Sequence, residues 1–455
     1  MLDDLLKGVV RRYRLPADAR PLPGARTANP STSLALVIEQ ARQTIADGGE
    51  PDAKLAGAFT EALAGLIREA MRPAAGDPVI QAMVIEHRHA HVREYASLFA
   101  RAGQDRRQVR AAVDAVAHPA RLQRMPDGPA RQALAQWRAA AARQSWRDVQ
   151  MGLPRLRAMP EIASGSPLQI GLARLLDNPA LVRLQRLDAL GSDEAVRRYQ
   201  ALRDRHGPRP GSAEAAAQGG VSRKRGKAVE AAAARALGAL AERLDREEGG
   251  TAYRVVTSML VPSSIPASHA HAKTEWDAVL LRRAPDVEGE PAWDVCLLVE
   301  AKASIEAAAT DLPRLQRGVR LLAHAEAGTV YPFPFQSGEG VVRLRGSSLR
   351  ALAADEAGLA RSVLYCCDAP DEPEPRLLGA ASRMQLLSAP ASLAFASALE
   401  ERGEADPRDL EAVWSDLLHS PRWAAVLNQY QALRQARGLL VHVEDLMAAI
   451  AGGSP

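Results

Sequence analysis

The chain has 455 residues, of which 47% are hydrophobic and 25% charged, and its formal net charge is +4. This composition is typical of globular proteins and argues against a disordered, collagen-like or coiled-coil chain. The longest stretch without a formal charge, residues 255–272, contains two prolines, four serines and two histidines. We therefore expect no membrane-spanning helix and no membrane partner.

The N-terminal segment MLDDLLKGVVRRYRLP carries two acids and a lysine among its apolar residues. It lacks the continuous apolar core of a secretory signal. The three cysteines are too few for a disulfide framework and are typical of a reducing compartment. These features together predict a cytoplasmic protein.

The basic residues are almost all arginine, and the net charge differs between segments of the chain. Of the 58 basic residues, 52 are arginine and only six are lysine. Because lysine is so rare in this chain, a lysine beside other reactive side chains is harder to attribute to chance. The net charge is +9 for residues 1–215, zero for 216–370 and −5 for 371–455. A basic half and an acidic tail are hints about binding partners.

Residues 1–206 are predicted to form a basic helical domain, because apolar residues recur at helical spacing and alternating strand patterns are hard to find. Dipeptides such as Asp77-Pro78 and Asn178-Pro179 mark the breaks between helices. Glycine, proline and small residues in 207–220 predict a linker.

A second region, residues 221–370, has a mixed pattern. We expect a helix over about 223–245, then strands Tyr253–Val261, Lys273–Arg283 and Trp293–Ala301, a helix near 312–327, and strands Gly340–Arg345 and Arg361–Cys367. This order is αβββαβ. Residues 371–455 are predicted to be a helical, acidic C-terminal extension, so the expected fold class is a multi-domain α+β chain.

Two carboxylates and a lysine converge in this second region. The segment Lys273-Thr-Glu-Trp-Asp277 opens one strand, and Glu300-Ala301-Lys302 closes the next. Side chains alternate along a strand, so Glu300 and Lys302 share a face about 7 Å apart. A hairpin centred at 288–289 places Asp277 opposite Glu300. Adjacent carboxylates suit Mg²⁺ or Mn²⁺, and a nearby ammonium can stabilise charge that develops during a reaction.

The pattern resembles the PD-(D/E)xK superfamily of restriction-endonuclease-like nucleases. The resemblance covers the predicted α/β core, 221–370, and includes an upstream helix with Gly226-Lys-Ala-Val-Glu230; the family's proline is replaced by Trp276. It implies a restriction-endonuclease-like core and metal-dependent hydrolysis of phosphodiesters, with DNA as the expected substrate because most enzymes of the family cut DNA. It further implies that Asp277, Glu300, Glu230 and the carbonyl of Ala301 bind the metal and that Lys302 assists the attacking water.

Two basic segments are candidates for binding nucleic acid. In the helix predicted to begin at Asp311, Arg314, Gln316, Arg317 and Arg320 lie off the apolar stripe. The resemblance implies that this helix lies beside the cleft, where these residues would meet phosphates. Upstream, Lys224 and Lys227 could grip a nucleic-acid backbone. A solvated charged helix face is the alternative for both segments.

Three other interpretations stay open at the level of sequence. Glu300 and Lys302 could form a simple salt bridge at a solvated strand end. The chain could be a non-catalytic scaffold, with a helical N-terminal domain that binds a protein partner and a nuclease-like fold that no longer cuts. Finally, His87 and His91 have the i, i+4 spacing of a helical zinc site, although a surface helix explains them as well.

Overall fold

The structure is a computed structural model that describes residues 2–15, 29–208, 211–287, 289–335, 340–372 and 374–452. Its residues divide into two compact units. The sheet unit comprises the described residues of Met1–Leu66, Arg209–Ala389 and Pro407–Pro455. The helical unit comprises those of Ile67–Pro208 and Pro390–Asp406. The described residues contain no helix with both the length and the apolar content needed to cross a membrane.

Helices dominate the first half of the chain, as the sequence predicts. They are α1 (Leu2–Gly8), α2 (Pro30–Ala46), α3 (Ala53–Ala70), α4 (Pro78–Arg88), α5 (Ala90–Ala117), α6 (Pro119–Arg124), α7 (Pro129–Ala142), α8 (Trp146–Arg157), α9 (Pro167–Leu176), α10 (Pro179–Leu190) and α11 (Glu194–Arg205). The Asp-Pro and Asn-Pro dipeptides act as helix starts: Asp77 accepts a hydrogen bond from the Val79 amide at 3.0 Å, and Asn178 accepts one from the Ala180 amide at 2.9 Å.

The second half mixes helices and strands. The helices are α12 (Ala213–Glu248), α13 (Ile305–Ala323), α14 (Gly346–Arg350), α15 (Glu356–Ser362), α16 (Ala380–Leu387), α17 (Pro390–Arg402), α18 (Glu411–His419), α19 (Ala424–Leu427), α20 (Gln429–Leu439) and α21 (Val443–Ala451), with short 3₁₀ turns at Pro407–Leu410 and Pro421–Trp423. The strands are β1 (Tyr253–Leu260), β2 (Glu275–Val287), β3 (Glu290–Ala301), β4 (Val330–Phe335), β5 (Gly340–Arg345), β6 (Val363–Cys367) and β7 (Leu440–His442).

The strands form one sheet with two kinds of pairing. β1, β2 and β3 are antiparallel neighbours, while β6 lies parallel to β3 and β7 lies parallel to β6. The β4–β5 hairpin pairs with β1 on one side and with β3 on the other, so the pairings β2–β1–β4–β5–β3–β2 close into a ring. Near the site, Ala278 pairs with Val299, which is the register predicted for the hairpin.

Two cores cover the two faces of the sheet. Leu298 belongs to the core that contains the apolar stripe of α13, whereas its neighbours Leu297 and Val299 belong to the core beneath α12 and α21. This alternation continues to the end of β3, so Glu300 faces the α13 side. The N-terminal residues also pack here: Tyr13 lies in the α13 core, and Leu6 lies in the α12 core.

Some predicted boundaries were wrong. Residues 213–220, predicted as linker, form the first turns of α12, because Ser212 caps the helix and alanines follow it. The helix predicted from Asp311 begins at Ile305 with Ser304 as its cap, and Asp311 and Pro313 lie inside it. The predicted helical extension 371–455 also contributes strand β7 to the sheet.

Candidate functional site

Glu300 is a fully buried carboxylate at the end of β3, with 0% of its surface exposed. Its Oε2 accepts hydrogen bonds from the ammonium groups of Lys273 and, at 3.4 Å, of Lys302. Its Oε1 is buried and has no hydrogen-bond partner among the described residues. A buried carboxylate with one unsatisfied oxygen is costly, so this atom is a natural place for a ligand to bind.

Asp277 lies on β2, next to the pair Ala278–Val299 that joins β2 to β3. Its Oδ2 accepts a hydrogen bond of 2.8 Å from the backbone amide of Ala301, which fixes the carboxylate beside the end of β3. The residue is half-buried. The hairpin therefore brings Asp277 and Glu300 to neighbouring ends of two strands, as the register predicts.

Lys302 is held between two carboxylates. Its Nζ lies 3.4 Å from Glu300 Oε2 and 3.3 Å from Asp311 Oδ2. The hydroxyl of Tyr365, on β6, donates to the same Asp311 oxygen at 3.2 Å. The lysine amide donates to the Cys366 carbonyl at 2.9 Å, so main chain and side chain are both anchored.

The pKa values of Glu300 and Lys302 are both shifted by their surroundings, but for different reasons. Burial, and then the charge of Asp277, raises the pKa of Glu300 to about 8, although the two lysines oppose this effect. Burial would lower the pKa of Lys302, but Glu300, Asp311 and Asp277 outweigh it and raise that pKa. The ammonium of Lys302 is thus kept charged close to a carboxyl group that resists ionisation.

Glu230 is located on α12 and is exposed. Partial desolvation, followed by the charges of Asp277 and Glu275, raises the pKa of Glu230. The negative charge of Asp277 thus contributes to the raised pKa of Glu230, although α12 covers the sheet face opposite α13. The Ala301 amide donates to Asp277, and Ala301 pairs with Cys366 of β6 at the end of the sheet ladder.

The predicted nucleic-acid contacts have different surroundings. Arg314, Arg317 and Arg320 are exposed on α13, but the Arg317 guanidinium donates to the His271 carbonyl at 2.8 Å. Gln316 is half-buried and donates to Gln435 at 3.0 Å, which makes it a packing contact. Lys224 and Lys227 are exposed near the start of α12.

The single helix on which the zinc interpretation of His87 and His91 depends is absent. His87 lies at the end of α4, while His91 lies in α5, and the chain breaks between the two helices at His89. The i, i+4 geometry needs one continuous helix, which is absent here. His91 instead contacts Asp193 at 3.0 Å, beside the first turn of α11.

Three members of the cluster were not predicted as site residues: Lys273, Asp311 and Tyr365. Lys273 lies just before β2 rather than at its first residue. Its side chain is 8% exposed and forms an ion pair with Glu300. Its rarity, as one of six lysines, was a usable signal. The sequence predicts Asp311 only as the first residue of a helix, and it places Tyr365 within the predicted strand Arg361–Cys367.

A divalent cation could use oxygens from this cluster. Asp277 and Glu300 supply hard carboxylate oxygens, and the unpartnered Glu300 Oε1 has capacity for a ligand. Across the described ranges, however, no three Asp, Glu, His or Cys side chains are grouped as a metal site. Asp277 and Glu300 fit a cation that is bound by one or two carboxylates and several waters, as Mg²⁺ commonly is.

Comparison of the chain with protein-family models, with curated proteins and with solved structures finds no match.

Proposed function

We propose that this protein is a Mg²⁺- or Mn²⁺-dependent nuclease that hydrolyses phosphodiester bonds, with DNA as its substrate. The observation that carries the proposal is the buried Glu300, which has an unpartnered Oε1, two lysines on Oε2 and Asp277 on the adjacent strand. A structural ion pair would need neither the second carboxylate nor the vacant acceptor. Charged groups buried together in this way are more typical of functional sites.

The order of elements around the cluster also supports the proposal. A long helix, α12, precedes the antiparallel strands β1, β2 and β3, and α13 connects β3 to the parallel strand β6. We propose that these elements are a restriction-endonuclease-like core into which the β4–β5 hairpin has been inserted. That core has its acidic residues at the ends of the second and third strands, where Asp277 and Glu300 lie.

In the proposed mechanism, Asp277 and Glu300 would hold the divalent cation, with Glu230 close enough to contribute charge. A bound cation would polarise the phosphoryl oxygen and lower the pKa of a coordinated water. Lys302, kept protonated by Glu300 and Asp311, would orient the attacking water and stabilise the charge that develops on the phosphate. Lys273 would neutralise Glu300 from the buried side and fix its rotamer.

Exposed arginines next to the cluster would bind the phosphate backbone. Arg314, Arg317 and Arg320 lie on the helix that follows the Glu300 strand, and Lys224 and Lys227 lie on α12 upstream of Glu230. Because phosphate contacts position a duplex without reading its sequence, these residues would contribute affinity rather than specificity.

Cleavage of plasmid and labelled oligonucleotides in Mg²⁺ or Mn²⁺ tests the proposal directly. Lys302→Ala is expected to lower the initial rate by at least about a hundredfold, because it removes a group that stabilises developing charge. Lys54→Ala, an exposed lysine on α3, is the matched control and should cut like the wild type. A wild-type rate no higher than that of Lys302→Ala, with all proteins purified in parallel, would reject the proposal.

A non-catalytic scaffold is the second candidate, and one observation favours it. The Lys273 and Lys302 ammonium groups already neutralise Glu300, so the cluster is partly satisfied without a cation. Calorimetric titration with Mn²⁺ separates the two functions. A nuclease should bind Mn²⁺ and lose that binding in Asp277→Asn and Glu300→Gln, whereas a scaffold of this kind should bind none.

A further inference from the structure

A cavity of about 640 Å³ lies in the helical unit, and none of its described lining residues belongs to the proposed nuclease centre. It is bordered by the C-terminal end of α3 and the turn after it, by α4, by α11 and by α17. Its volume is within the range of sites that hold a small organic ligand.

Four arginines line this cavity: Arg68, Arg72, Arg198 and Arg205. Among the described residues, Glu400 is the only acidic side chain in the lining. Its carboxylate is bound on one oxygen by Arg198 at 2.6 Å and on the other by Arg88 at 2.8 Å. Arg88 is not a lining residue and also pairs with Glu401 at 3.1 Å, so the surplus of positive charge in the lining is that of its four arginines over Glu400.

Two of the arginines, Arg68 and Arg205, are held in position by contacts that leave most of their guanidinium N–H groups available for a ligand. The Arg68 guanidinium lies over the ring of Phe395, 5.7 Å from its centroid. Arg205 donates one hydrogen bond of 3.2 Å to the Ala74 carbonyl. A guanidinium has five N–H donors in a planar fork, so each retains capacity for a bidentate bond to a phosphate.

The C-terminal end of α3 has carbonyl groups that could repel an anion, but these carbonyls already accept hydrogen bonds. The last carbonyls of a helix usually carry partial negative charge, which would repel a phosphate. Here the buried amide of Gln81 donates to the Ala70 and Arg72 carbonyls, at 3.3 and 2.8 Å, and the Gly76 amide also donates to Arg72 at 2.8 Å. These bonds occupy the carbonyl oxygens of Ala70, the last residue of α3, and of Arg72 just after it.

The rest of the wall is apolar, and it includes Met71, Leu202 and Leu399. An inorganic anion would make no favourable contact with this apolar surface. A ligand that has a flat aromatic ring with apolar faces and several phosphate charges would use both parts of the lining.

We propose that the cavity binds a nucleoside di- or triphosphate, whose phosphates are bound by the arginines and whose base packs against Met71, Leu202 and Leu399. The recognising groups are side chains from four separate segments, rather than a glycine-rich loop. The site is independent of the Glu300 cluster, so it stands whether or not the chain cuts nucleic acid.

Calorimetric titration of the full chain with ATP in EDTA tests this site without any divalent cation at the Glu300 cluster. Arg72→Ala and Arg205→Ala should each weaken ATP binding by at least about tenfold, since each removes charge-assisted hydrogen bonds. Arg110→Ala, an exposed arginine on α5 in the same unit, is the control and should bind like the wild type. Thermal melting checks that every variant is folded.

Two further probes test the two parts of the proposed ligand. Inorganic tripolyphosphate carries comparable charge without a base, and it should bind at least about tenfold more weakly than ATP. Leu399→Ala should weaken ATP binding and leave tripolyphosphate binding unchanged. The proposal is overturned by equal affinity for the two probes, by no ATP binding up to about 1 mM, by an Arg110→Ala effect equal to that of Arg72→Ala, or by binding of only a single-stranded oligonucleotide.

Discussion

Two buried glutamates in different regions of the sheet unit have opposite surroundings. Glu39, on α2, is 4% exposed and accepts hydrogen bonds from Arg42, Gln43 and Gln431. Glu300, at the end of β3, is 0% exposed and has one oxygen bound by lysines and the other unpartnered.

The pKa directions follow from these partners. Burial would raise the pKa of Glu39, but the hydrogen bonds from Arg42, Gln431 and Gln43 outweigh it and lower that pKa. At Glu300, burial and the charge of Asp277 prevail over the lysines, and the pKa is raised. Glu39 is typical of a structural carboxylate, because hydrogen-bond donors surround it. Glu300 has an oxygen without a hydrogen-bond partner and lies beside a second carboxylate, which favours the binding of a ligand.

The largest expected effect on stability concerns the partner of Glu300. Lys273→Met should lower the free energy of unfolding by about 3–5 kcal/mol, because it breaks a buried ion pair and leaves the carboxylate without its closest counter-charge. Urea unfolding at pH 9, above the pKa of about 8 of Glu300, measures this loss. The double variant Lys273→Met/Glu300→Gln should recover most of it, and failure to recover would mean that Lys273 matters through packing rather than charge.

At Glu39, Glu39→Gln should cost about 2 kcal/mol, since charge-assisted hydrogen bonds from Arg42 become neutral ones or are lost. Glu300→Gln should cost less than Glu39→Gln in the same urea series, because it removes a buried carboxylate that is incompletely paired. The comparison between the two glutamates fails if Glu300→Gln is the more destabilising substitution.

The position of Lys273 also depends on a close approach by α13. A Cβ added at Gly318 would lie 2.6 Å from the Lys273 Cβ and 2.9 Å from its carbonyl oxygen. Gly318→Ala should therefore destabilise the protein by about 1–2 kcal/mol through overpacking. Gly238→Ala, on α12 with open space around it, is the matched control and should instead stabilise by about 0.5–1 kcal/mol. Thermal melting that moves both variants in one direction would contradict this difference.

The smallest expected effect is a pH dependence at Glu39. Because its folded-state pKa is lowered below the ordinary value of 4.5, its contribution to stability is present above that value and is lost as the pH falls through the folded-state pKa. The difference in unfolding free energy between wild type and Glu39→Gln should therefore shrink in acid. Urea unfolding at a series of pH values from neutral to acid measures it, and a difference that grows in acid would show the opposite sign.

Much of the sheet unit could be predicted from local pattern. The strands β1, β2, β3, β5 and β6 and the helix α12 were found because Val and Leu runs and helical spacing are local signals. The β4 segment was missed because Pro332 and Pro334 are residues that central strands exclude, and β7 was missed because it is three residues long. The helical unit's breaks were predicted from Asn-Pro and Asp-Pro dipeptides, but its cavity was not, since no short motif marks it.

The sequence by itself determined the alternation of β3, the hairpin register that brings Asp277 beside Glu300, and the prominence of Lys302 among very few lysines. Each of these depends on residue spacing along two adjacent strands. Only the tertiary structure decided that Lys273, Asp311 and Tyr365 complete the cluster, that His87 and His91 lie on separate helices, and that arginines from several segments share one cavity. The reason is physical: burial and ion pairing depend on side chains that are distant in the chain, and spacing along the sequence carries no information about them.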